Sequence, residues 1–332
     1  MRHTFLCLDG HTGGNPVRVI AGGGPLLKGR TMSEKRQDFL AHHDWIRTAL
    51  MFEPRGHDMM SGAIFYPACS PNADASILFV ETSGCLPMCG HGTIGAVTLA
   101  LENGLIQVRD RNQIILDTPA GQIRADIEWD GAHVAGVRIF NVTSFLAHEA
   151  VEIHSPELGR LTVDIAYGGN FYAIIEPQDG YRDLADYTSS QLLSMSPAIR
   201  AAAGAAAECV HPDDATVHGV SHVMWTGAPT VDGAHARNAV FYGERAIDRS
   251  PCGTGTSARM AQLEARGDLR VGDEFIHESV IGSLFHGRVE TADSLDGQPA
   301  IRPSIRGWAV QTGINTIFVD DRDPFRDGFQ LS

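Results

Sequence analysis

The chain has 332 residues, of which 43% are hydrophobic, and its formal net charge is −14 at pH 7. Because a single hydrophobic core usually stops growing at about 250 to 300 residues, the length predicts two packed domains. The negative charge, with no segment rich in Lys or Arg, argues against nucleic acid or anionic lipid as a partner.

The N-terminal sequence lacks a basic region followed by an apolar stretch and a cleavage site, and no apolar run approaches the roughly 20 residues that cross a bilayer. We therefore expect a soluble cytoplasmic protein with no membrane partner. Six cysteines are too few for a disulfide scaffold in a chain of this length, and a reducing compartment would keep them as thiols.

Three sequence features occur twice in the same order and predict a duplicated unit. The first feature is a Gly-Gly-Asn turn that leads into an apolar strand. It occurs at residues 13–15, before the strand predicted over 16–20, and again at 168–170, before the strand predicted over 171–175.

The second repeated feature is a cysteine followed by a glycine-rich turn and a stretch of good helix formers. The sequence CGHGT at 89–93 is matched by CGTGT at 252–256. Gly104 and Gly267 each lie fifteen residues beyond their cysteine, where the glycine that ends a helix is expected. Each cysteine therefore stands at the predicted start of a helix.

The third repeated feature is a short turn, DTPAG at 117–121 and ESVIG at 278–282, beside sequence that alternates as a strand does over 122–127 and 283–289. One such match arises readily by chance, whereas three in one order do not. The sequence thus predicts two β-rich halves, each with a buried helix, whose helix starts face each other across an interdomain cleft.

The remaining segments are predicted more simply. The alanine-rich run 197–207 indicates a helix, and alternation over 315–319 indicates a strand in a tail that packs back on the first half. The predicted division is 1–145 for the first half, 150–305 for the second half and 306–332 for the C-terminal segment.

The two helix starts predict a binding site for one carboxylate. The first amides of a helix have no intrahelical partner, and the helix dipole favours an anion there. Removing the α-proton of an amino acid pushes negative charge into its carboxylate, which such donors stabilise. The predicted donors are the backbone amides of Gly90, His91, Gly253 and Thr254.

Cys89 and Cys252 are the predicted acid/base pair. Inverting a stereocentre without a cofactor needs a base on one face of the carbon and an acid on the other. A helix start lowers a cysteine pKa below about 8.5, so one thiol can be a thiolate while its partner stays protonated. The alternative for Cys89 is a small buried residue at a helix start, which its repeated glycine context disfavours. The structural cysteines are predicted to be Cys7, Cys69, Cys85 and Cys209.

Two further side chains are candidates for the site. Asp248, four residues before Cys252, serves the second thiol or a substrate ammonium, or merely caps a turn. His222, in the strand-like sequence SHVMW, reaches the cleft or is a satisfied core histidine, and sequence logic alone favours the core. The histidines show no HExxH-like spacing and no dinucleotide fingerprint is present, so we expect neither a metal nor a cofactor.

Residues 88–95 and 248–258 closely resemble the two signatures of the proline racemase family, which includes 4-hydroxyproline 2-epimerases. Residues 9–14 and 167–171 are also similar to that family, so the resemblance covers most of the chain. It implies an α/β (α+β) fold of the diaminopimelate-epimerase type. In that fold two pseudo-symmetric halves, each a β-rich sheet or barrel around a central helix, hold the active site between them.

The resemblance also implies roles for single residues. Cys89 and Cys252 would be the acid/base pair, Asp248 would lie near the substrate nitrogen, and His222 would contact the substrate. The substrate carboxylate would be bound by Gly90, His91, Gly253 and Thr254.

The substrate is expected to be a small amino acid. Similar enzymes that dehydrate trans-3-hydroxyproline carry threonine at the second catalytic position, so Cys252 argues against dehydration. Residues 83–87 and 57–58 resemble hydroxyproline epimerases more than proline racemases. We therefore expect conversion of trans-4-hydroxy-L-proline to cis-4-hydroxy-D-proline, with proline racemase as the alternative. Further alternatives are a thiol redox protein using Cys85 and Cys89, or a non-catalytic amino-acid-binding module; a homodimer is compatible with the sequence.

Overall fold

The computed structural model describes residues 1–331; Ser332, the last residue of the predicted C-terminal segment, lies outside the described residues. The fold is mixed α/β, made mostly of strands, with five α-helices in the described part of the chain. Two compact units are present, one formed by Met1–Ile139 with the chain from Gly307 onward and the other by Phe140–Arg306. Over residues 1–331, none of the helices has the length and apolar character needed to span a membrane.

The elements have the following bounds. The strands are β1 (Arg2–Thr12), β2 (Asn15–Gly22), β3 (Ser61–Tyr66), β4 (Ala75–Glu81), β5 (Gly84–Leu86), β6 (Gln113–Thr118), β7 (Gly121–Asp130), β8 (His133–Phe140), β9 (Phe145–Ser155), β10 (Gly159–Tyr167), β11 (Phe171–Ile175), β12 (Val210–His211), β13 (Asp214–His218), β14 (Val220–Gly227), β15 (Ala236–Tyr242), β16 (Ala246–Ile247), β17 (Glu274–Glu278), β18 (Leu284–Leu295), β19 (Gln298–Gly307) and β20 (Ala309–Asp320). The helices are α1 (Met32–His42), α2 (Asp44–Met51), α3 (Gly90–Glu102), α4 (Ser189–Ala206) and α5 (Gly253–Ala265), with a short 3₁₀ turn at Leu184–Asp186.

The sheet of the first unit runs in the order β20, β1, β2, β3, β4, β6, β7. The pairs β2–β3 and β4–β6 are parallel and the others are antiparallel. The short strand β5 pairs with β4 just before α3 begins. Strand β20 pairs with β1 along its length, so the C-terminal strand forms part of this unit.

The sheet of the second unit has the same kinds of pairing. Its order is β9, β10, β11, β14, β15, β17, β18, β19, with β11–β14 and β15–β17 parallel and the others antiparallel. The short strand β16 pairs with β15 before α5 begins, as β5 does with β4 before α3. In both units, therefore, a cysteine-led helix follows a short hairpin strand.

The three repeated sequence features lie at matching turns of the two sheets. Residues 13–15 join β1 to β2, and 168–170 join β10 to β11. Residues 117–121 form the β6–β7 turn, and 278–282 form the β17–β18 turn. The predicted duplication thus coincides with a repeated order of strands.

Helices α3 and α5 are buried over most of their length. Every residue of α3 through Ala100, and every residue of α5 through Gln262, is buried. A helix enclosed on all sides needs mostly small or apolar side chains, which both sequences supply. The larger polar side chains of α5, Arg259 and Gln262, are hydrogen-bonded to each other. Gly104 and Gly267 have φ values of +64° and +82°, the left-handed conformation expected of glycines that end helices.

Helix α4 is longer than predicted. It begins at Ser189, eight residues before the alanine-rich run 197–207, because Thr188 and Gln191 form a capping box at its start. Pro197 lies inside the helix rather than at its first turn. The tail strand is longer as well, since β20 extends on both sides of the predicted 315–319.

Candidate functional site

Cys89 caps the start of α3, and its side chain lies among polar groups. Its Sγ lies 3.0 Å from Glu81 Oε1 and 3.5 Å from His91 Nδ1, and it accepts a hydrogen bond from the Gly92 amide at 3.3 Å. Cys89, Glu81 and His91 are all at least 95% buried. The first thiol is thus held between a carboxylate and an imidazole.

The β1–β2 turn holds the start of α3 in place. Asn15 Nδ2 lies 3.0 Å from His91 Nε2, and the Thr12 hydroxyl donates to the His91 carbonyl at 2.8 Å. Within the helix, the Thr93 amide donates to the Cys89 carbonyl at 2.9 Å. The amides of Gly90 and His91 come before that first intrahelical bond, as a carboxylate site at a helix start requires.

Cys252 caps the start of α5 but differs from Cys89 in its backbone. Its φ is +62° and its ψ is 106°, an uncommon conformation for a residue with a side chain, whereas φ of Cys89 is −139°. Such a conformation costs on the order of 1 to 3 kcal/mol and concentrates at functional sites. Its Sγ lies 3.4 Å from the Tyr172 hydroxyl and 4.0 Å from Thr254 Oγ1.

Burial raises the pKa of Cys252 well above its ordinary range, and the negative charge of Asp248 adds to the increase. Hydrogen bonds from Tyr172, the Gly255 amide and Thr254 lower this pKa but do not offset burial. Cys252 is therefore a protonated thiol at neutral pH. The position at a helix start alone does not make this cysteine a thiolate.

Asp248 makes the capping contacts that were one of its three predicted roles. Its Oδ1 accepts hydrogen bonds from the Ser250 amide and hydroxyl, both at 2.8 Å. The Ser250 hydroxyl in turn accepts from the Cys252 amide at 3.2 Å. Asp248 thus shapes the turn before the second cysteine and also acts on its pKa.

A second set of contacts supports the turn that precedes Cys252. Asn238 Nδ2 donates to the Pro251 carbonyl at 2.7 Å and lies 2.9 Å from His277 Nδ1. The same ring nitrogen lies 2.9 Å from Thr256 Oγ1. Burial and, secondarily, the charge of Arg259 lower the pKa of His277 to about 3, so this histidine is neutral.

His222 is buried on β14 beside the neighbours of Cys252. Its ring centroid lies 4.6 Å from that of Tyr172 and 6.4 Å from that of Tyr242. Its Nδ1 lies 2.7 Å from the Ser221 hydroxyl. Because Tyr172 contacts the second thiol, His222 is next to this site rather than in an unrelated part of the core.

Three residues near the site, Glu81, Tyr172 and Ser61, were not predicted from the sequence. Ser61 is 1% exposed, and within the described residues its hydroxyl has no hydrogen-bond partner. Ser61 pairs with Glu81 across β3 and β4, so both side chains lie on the same face of the sheet. The signal available for Glu81 was an acidic residue at the end of an apolar strand, eight residues before Cys89.

Of the other four cysteines, Cys7, Cys85 and Cys209 are buried and Cys69 is half-buried, and their structural role stays a prediction. All six are free thiols. Burial raises the pKa of Cys7 and of Cys85 to about 12 and that of Cys209 to about 11. A redox protein using Cys85 with Cys89 would need a reactive thiolate, which the burial of Cys85 opposes.

One group of side chains has the composition of a metal site. The ligand atoms of Glu81, Cys89 and His91 lie within 4.8 Å of one another. The same atoms make the contacts of Cys89 with Glu81 and His91. The expected absence of a metal stays a prediction.

Known proteins resemble this chain over its full length. A family model described as proline racemase matches residues 7–330. The 4-hydroxyproline 2-epimerase of Brucella suis biovar 1 is 60% identical over 331 residues, which cover 100% of this chain and 99% of the relative. A crystal structure of a hydroxyproline epimerase from Agrobacterium vitis, with bound trans-4-hydroxy-L-proline, has a TM-score of 0.91 and 29% identity, covering 99% of this chain and 95% of the other. A crystal structure of a probable proline racemase from Agrobacterium radiobacter, with bound carbonate, has a TM-score of 0.89 and 32% identity. The match covers 98% of this chain and 96% of the other.

Proposed function

Since the chain belongs to the proline racemase family, we propose that it is an isomerase, a 4-hydroxyproline 2-epimerase that converts trans-4-hydroxy-L-proline to cis-4-hydroxy-D-proline. The full-length similarity to such epimerases supports the substrate. The observation that carries the mechanism is the pair of buried cysteines, each at the start of a buried, glycine-rich helix.

The proposed fold is that of two racemase halves, 1–145 and 150–305, with the C-terminal segment 306–332 belonging to the first. The mechanism requires the starts of α3 and α5 to bind one substrate carboxylate together. Their dipoles and amides would stabilise the charge that enters the carboxylate when the α-proton leaves. The proposed donors are Gly90, His91, Gly253 and Thr254.

The two thiols exchange protons with opposite faces of the α-carbon. In one direction, the Cys89 thiolate takes the α-proton while the Cys252 thiol donates its proton to the other face. The product then leaves Cys89 as a thiol and Cys252 as a thiolate, which is the state needed for the reverse reaction. The raised pKa of Cys252 supports its role as the acid in the first direction.

His222 and Asp248 are proposed to bind the rest of the substrate around the second thiol. Asp248 is 3% exposed and carries the negative charge that a substrate ammonium would need. His222 lies against Tyr172, which contacts Cys252, and can bind the substrate from the same side.

Ser61 supports hydroxyproline over proline. A buried hydroxyl without a protein partner costs about 1 to 3 kcal/mol, which a substrate hydroxyl would offset by hydrogen bonding. Ser61 has such a hydroxyl and shares a sheet face with Glu81, the neighbour of Cys89. Proline has no ring hydroxyl to satisfy it.

The experiment is a substrate panel of L-proline, trans-4-hydroxy-L-proline and cis-4-hydroxy-D-proline, incubated in heavy water and followed by chiral separation and mass spectrometry. We expect the hydroxyprolines to interconvert with deuterium at the α-carbon. Inversion of proline alone would identify a proline racemase instead. Binding without deuterium exchange would indicate a non-catalytic module.

The two-thiol mechanism has its own test. Cys89→Ser and Cys252→Ser should each lower kcat/KM by several orders of magnitude, because a serine hydroxyl is a far weaker acid and base near pH 7. Circular dichroism would establish that the variants are folded. Retention of more than about a tenth of the wild-type rate in either variant would contradict the mechanism.

A further inference from the structure

Glu81 is a buried carboxylate that the two-thiol chemistry does not itself require. It is 2% exposed, and its two oxygens accept hydrogen bonds from the Cys89 thiol at 3.0 Å and from the Ser83 hydroxyl at 3.1 Å. The Arg47 guanidinium binds the main-chain oxygen of Glu81, and its charge pairs with Asp44. Burying a carboxylate costs free energy unless hydrogen bonds or an opposite charge stabilise it.

The second unit has no acidic residue at the matching position. Glu81 ends β4 opposite Gly84 of β5, and Tyr242 ends β15 opposite Ala246 of β16. The Tyr242 ring faces His222 at a centroid distance of 6.4 Å. The Cys89 thiol thus donates to the carboxylate of Glu81, whereas Cys252 Sγ lies against the phenol of Tyr172 and is acted on by the charge of Asp248.

This difference matters because the two thiols need opposite protonation states at the start of each turnover. Cys252 keeps its proton because burial and the negative charge of Asp248 raise its pKa. Cys89 must be able to give up its proton inside a closed environment where water is scarce. The group in hydrogen-bonding contact with that proton is the carboxylate of Glu81.

We propose that Glu81 exchanges a proton with Cys89 and so forms the thiolate of Cys89. This proposal rests on the two-thiol function. The S–H bond of Cys89 breaks, an O–H bond forms on Glu81 Oε1, and the electron pair stays on sulfur. The pair carries one proton and a net charge of −1 before and after the step. The new carboxylic acid then donates its hydrogen bond back to the thiolate, which takes the α-proton of the substrate. Glu81 is thus a positioning residue that acts through Cys89.

His91 is the other titratable group that faces Cys89. Its Nδ1 lies 3.5 Å from Sγ, compared with 3.0 Å for Glu81 Oε1, and its Nε2 contacts Asn15. Arg47 faces the main chain of Glu81 and does not reach the thiol through any hydrogen bond described. The geometry therefore favours Glu81 as the proton partner, and a test must compare Glu81 with His91.

The test measures alkylation of Cys89 by iodoacetamide between about pH 6 and pH 8, with peptide mass spectrometry to follow this cysteine alone. If Cys89 and Glu81 share one proton, the thiolate fraction is constant over this range and the wild-type rate is nearly independent of pH. In Glu81→Gln the thiol titrates alone, so its rate should rise about tenfold per pH unit below the thiol pKa. Glu81→Asp should restore part of the flat profile, and it provides a second variant if Glu81→Gln folds poorly.

Three outcomes would overturn the proposal. They are a steep profile in the wild type, a flat profile in both Glu81→Gln and His91→Asn, or a flat profile in Glu81→Gln that is lost in His91→Asn, which would make His91 the proton partner. Because alkylation needs no substrate, these outcomes are separate from failure of the hydroxyproline assignment. In the epimerase assay, Glu81→Gln should lower kcat/KM at least about tenfold at pH 7, with a deficit that shrinks as the pH rises toward the thiol pKa.

Discussion

The Tyr172 hydroxyl lies 3.4 Å from Cys252 Sγ and 2.5 Å from Thr254 Oγ1, so one phenol joins the second thiol to the helix start. The hydrogen bond from Tyr172 lowers the pKa of Cys252, against the larger opposite effect of burial. Tyr172 comes to this position through β11, which is far from Cys252 in the sequence.

Tyr172→Phe should raise the pKa of Cys252 further and lower kcat/KM about tenfold. A hydrogen bond of this kind contributes about 1.5 kcal/mol, and 1.36 kcal/mol corresponds to a factor of ten in rate. The measurement is kcat/KM of the variant and of the wild type near pH 7, where Cys252 is a protonated thiol. Tyr187→Phe is a matched control, since the Tyr187 hydroxyl donates to the Gly180 carbonyl away from the site. Equal effects of both changes would contradict the role of Tyr172.

Ser61→Ala should reduce the preference for hydroxyproline over proline. The variant loses a hydroxyl that has no protein partner, so its stability should be unchanged or slightly higher. We expect kcat/KM for trans-4-hydroxy-L-proline to fall about tenfold, the worth of one hydrogen bond, while any activity on L-proline is preserved.

The control for Ser61 is Ser76→Ala. Ser76 is also a buried serine of this sheet, but its hydroxyl accepts from the Cys69 amide at 3.1 Å. Its loss should lower stability without changing substrate preference. If Ser61→Ala lowers activity on both substrates equally, Ser61 does not bind the ring hydroxyl.

The sequence predicted the starts of both cysteine-led helices and their end glycines because these depend on local chemistry. A cap, a glycine-rich first turn and a final glycine all fall within fifteen residues of Cys89 or of Cys252. Strand β11, Phe171–Ile175, coincides with the predicted 171–175 for the same reason, since it follows a turn and has only aliphatic and aromatic side chains.

The neighbours of the thiols could not be predicted because strand register places them. Glu81 and Tyr172 reach their cysteines only after β4 and β11 have paired correctly with other strands. Helix α1 was missed for a different reason. It buries only Met32 and Phe39, seven residues apart, and this leaves too weak an apolar period to recognise.

Gly168→Ala should disturb the second helix start. A Cβ at Gly168 would lie 2.2 Å from the Thr254 carbonyl oxygen and 2.5 Å from the Ala258 amide nitrogen, and neither backbone atom can move without shifting α5. We expect a loss of about 2 to 4 kcal/mol in the free energy of unfolding and a large loss of activity.

Gly204→Ala is the matched control for that substitution. Gly204 lies in helix α4, and a Cβ there would meet nothing within 4 Å. Alanine should therefore stabilise the protein by up to about 1 kcal/mol, through its higher helix propensity. Urea unfolding of both variants measures the two effects. Similar free energies for Gly168→Ala and the wild type would show that the turn can move away from α5.

His277 should make the stability of the protein fall between pH 6.5 and pH 5. Its pKa is lowered from 6.5 to about 3 by burial and by the charge of Arg259, so the unfolded chain binds a proton in this range that the folded protein does not. Stability from this group is fully present above pH 6.5 and is lost as the pH falls toward 3. The slope is about 1.4 kcal/mol per pH unit, which amounts to about 2 kcal/mol by pH 5.

The measurement is urea unfolding at pH 7 and pH 5 for the wild type, His277→Gln and the exposed control His218→Gln. The glutamine at 277 cannot titrate, so the difference between the two pH values should shrink by about 2 kcal/mol, whereas the control should keep the wild-type difference. His277→Gln should also cost stability at pH 7, because His277 contacts Asn238 and Thr256 behind the second cysteine. An unchanged pH difference in His277→Gln would mean that another group dominates the acid sensitivity, since the carboxylates titrate mainly below pH 5.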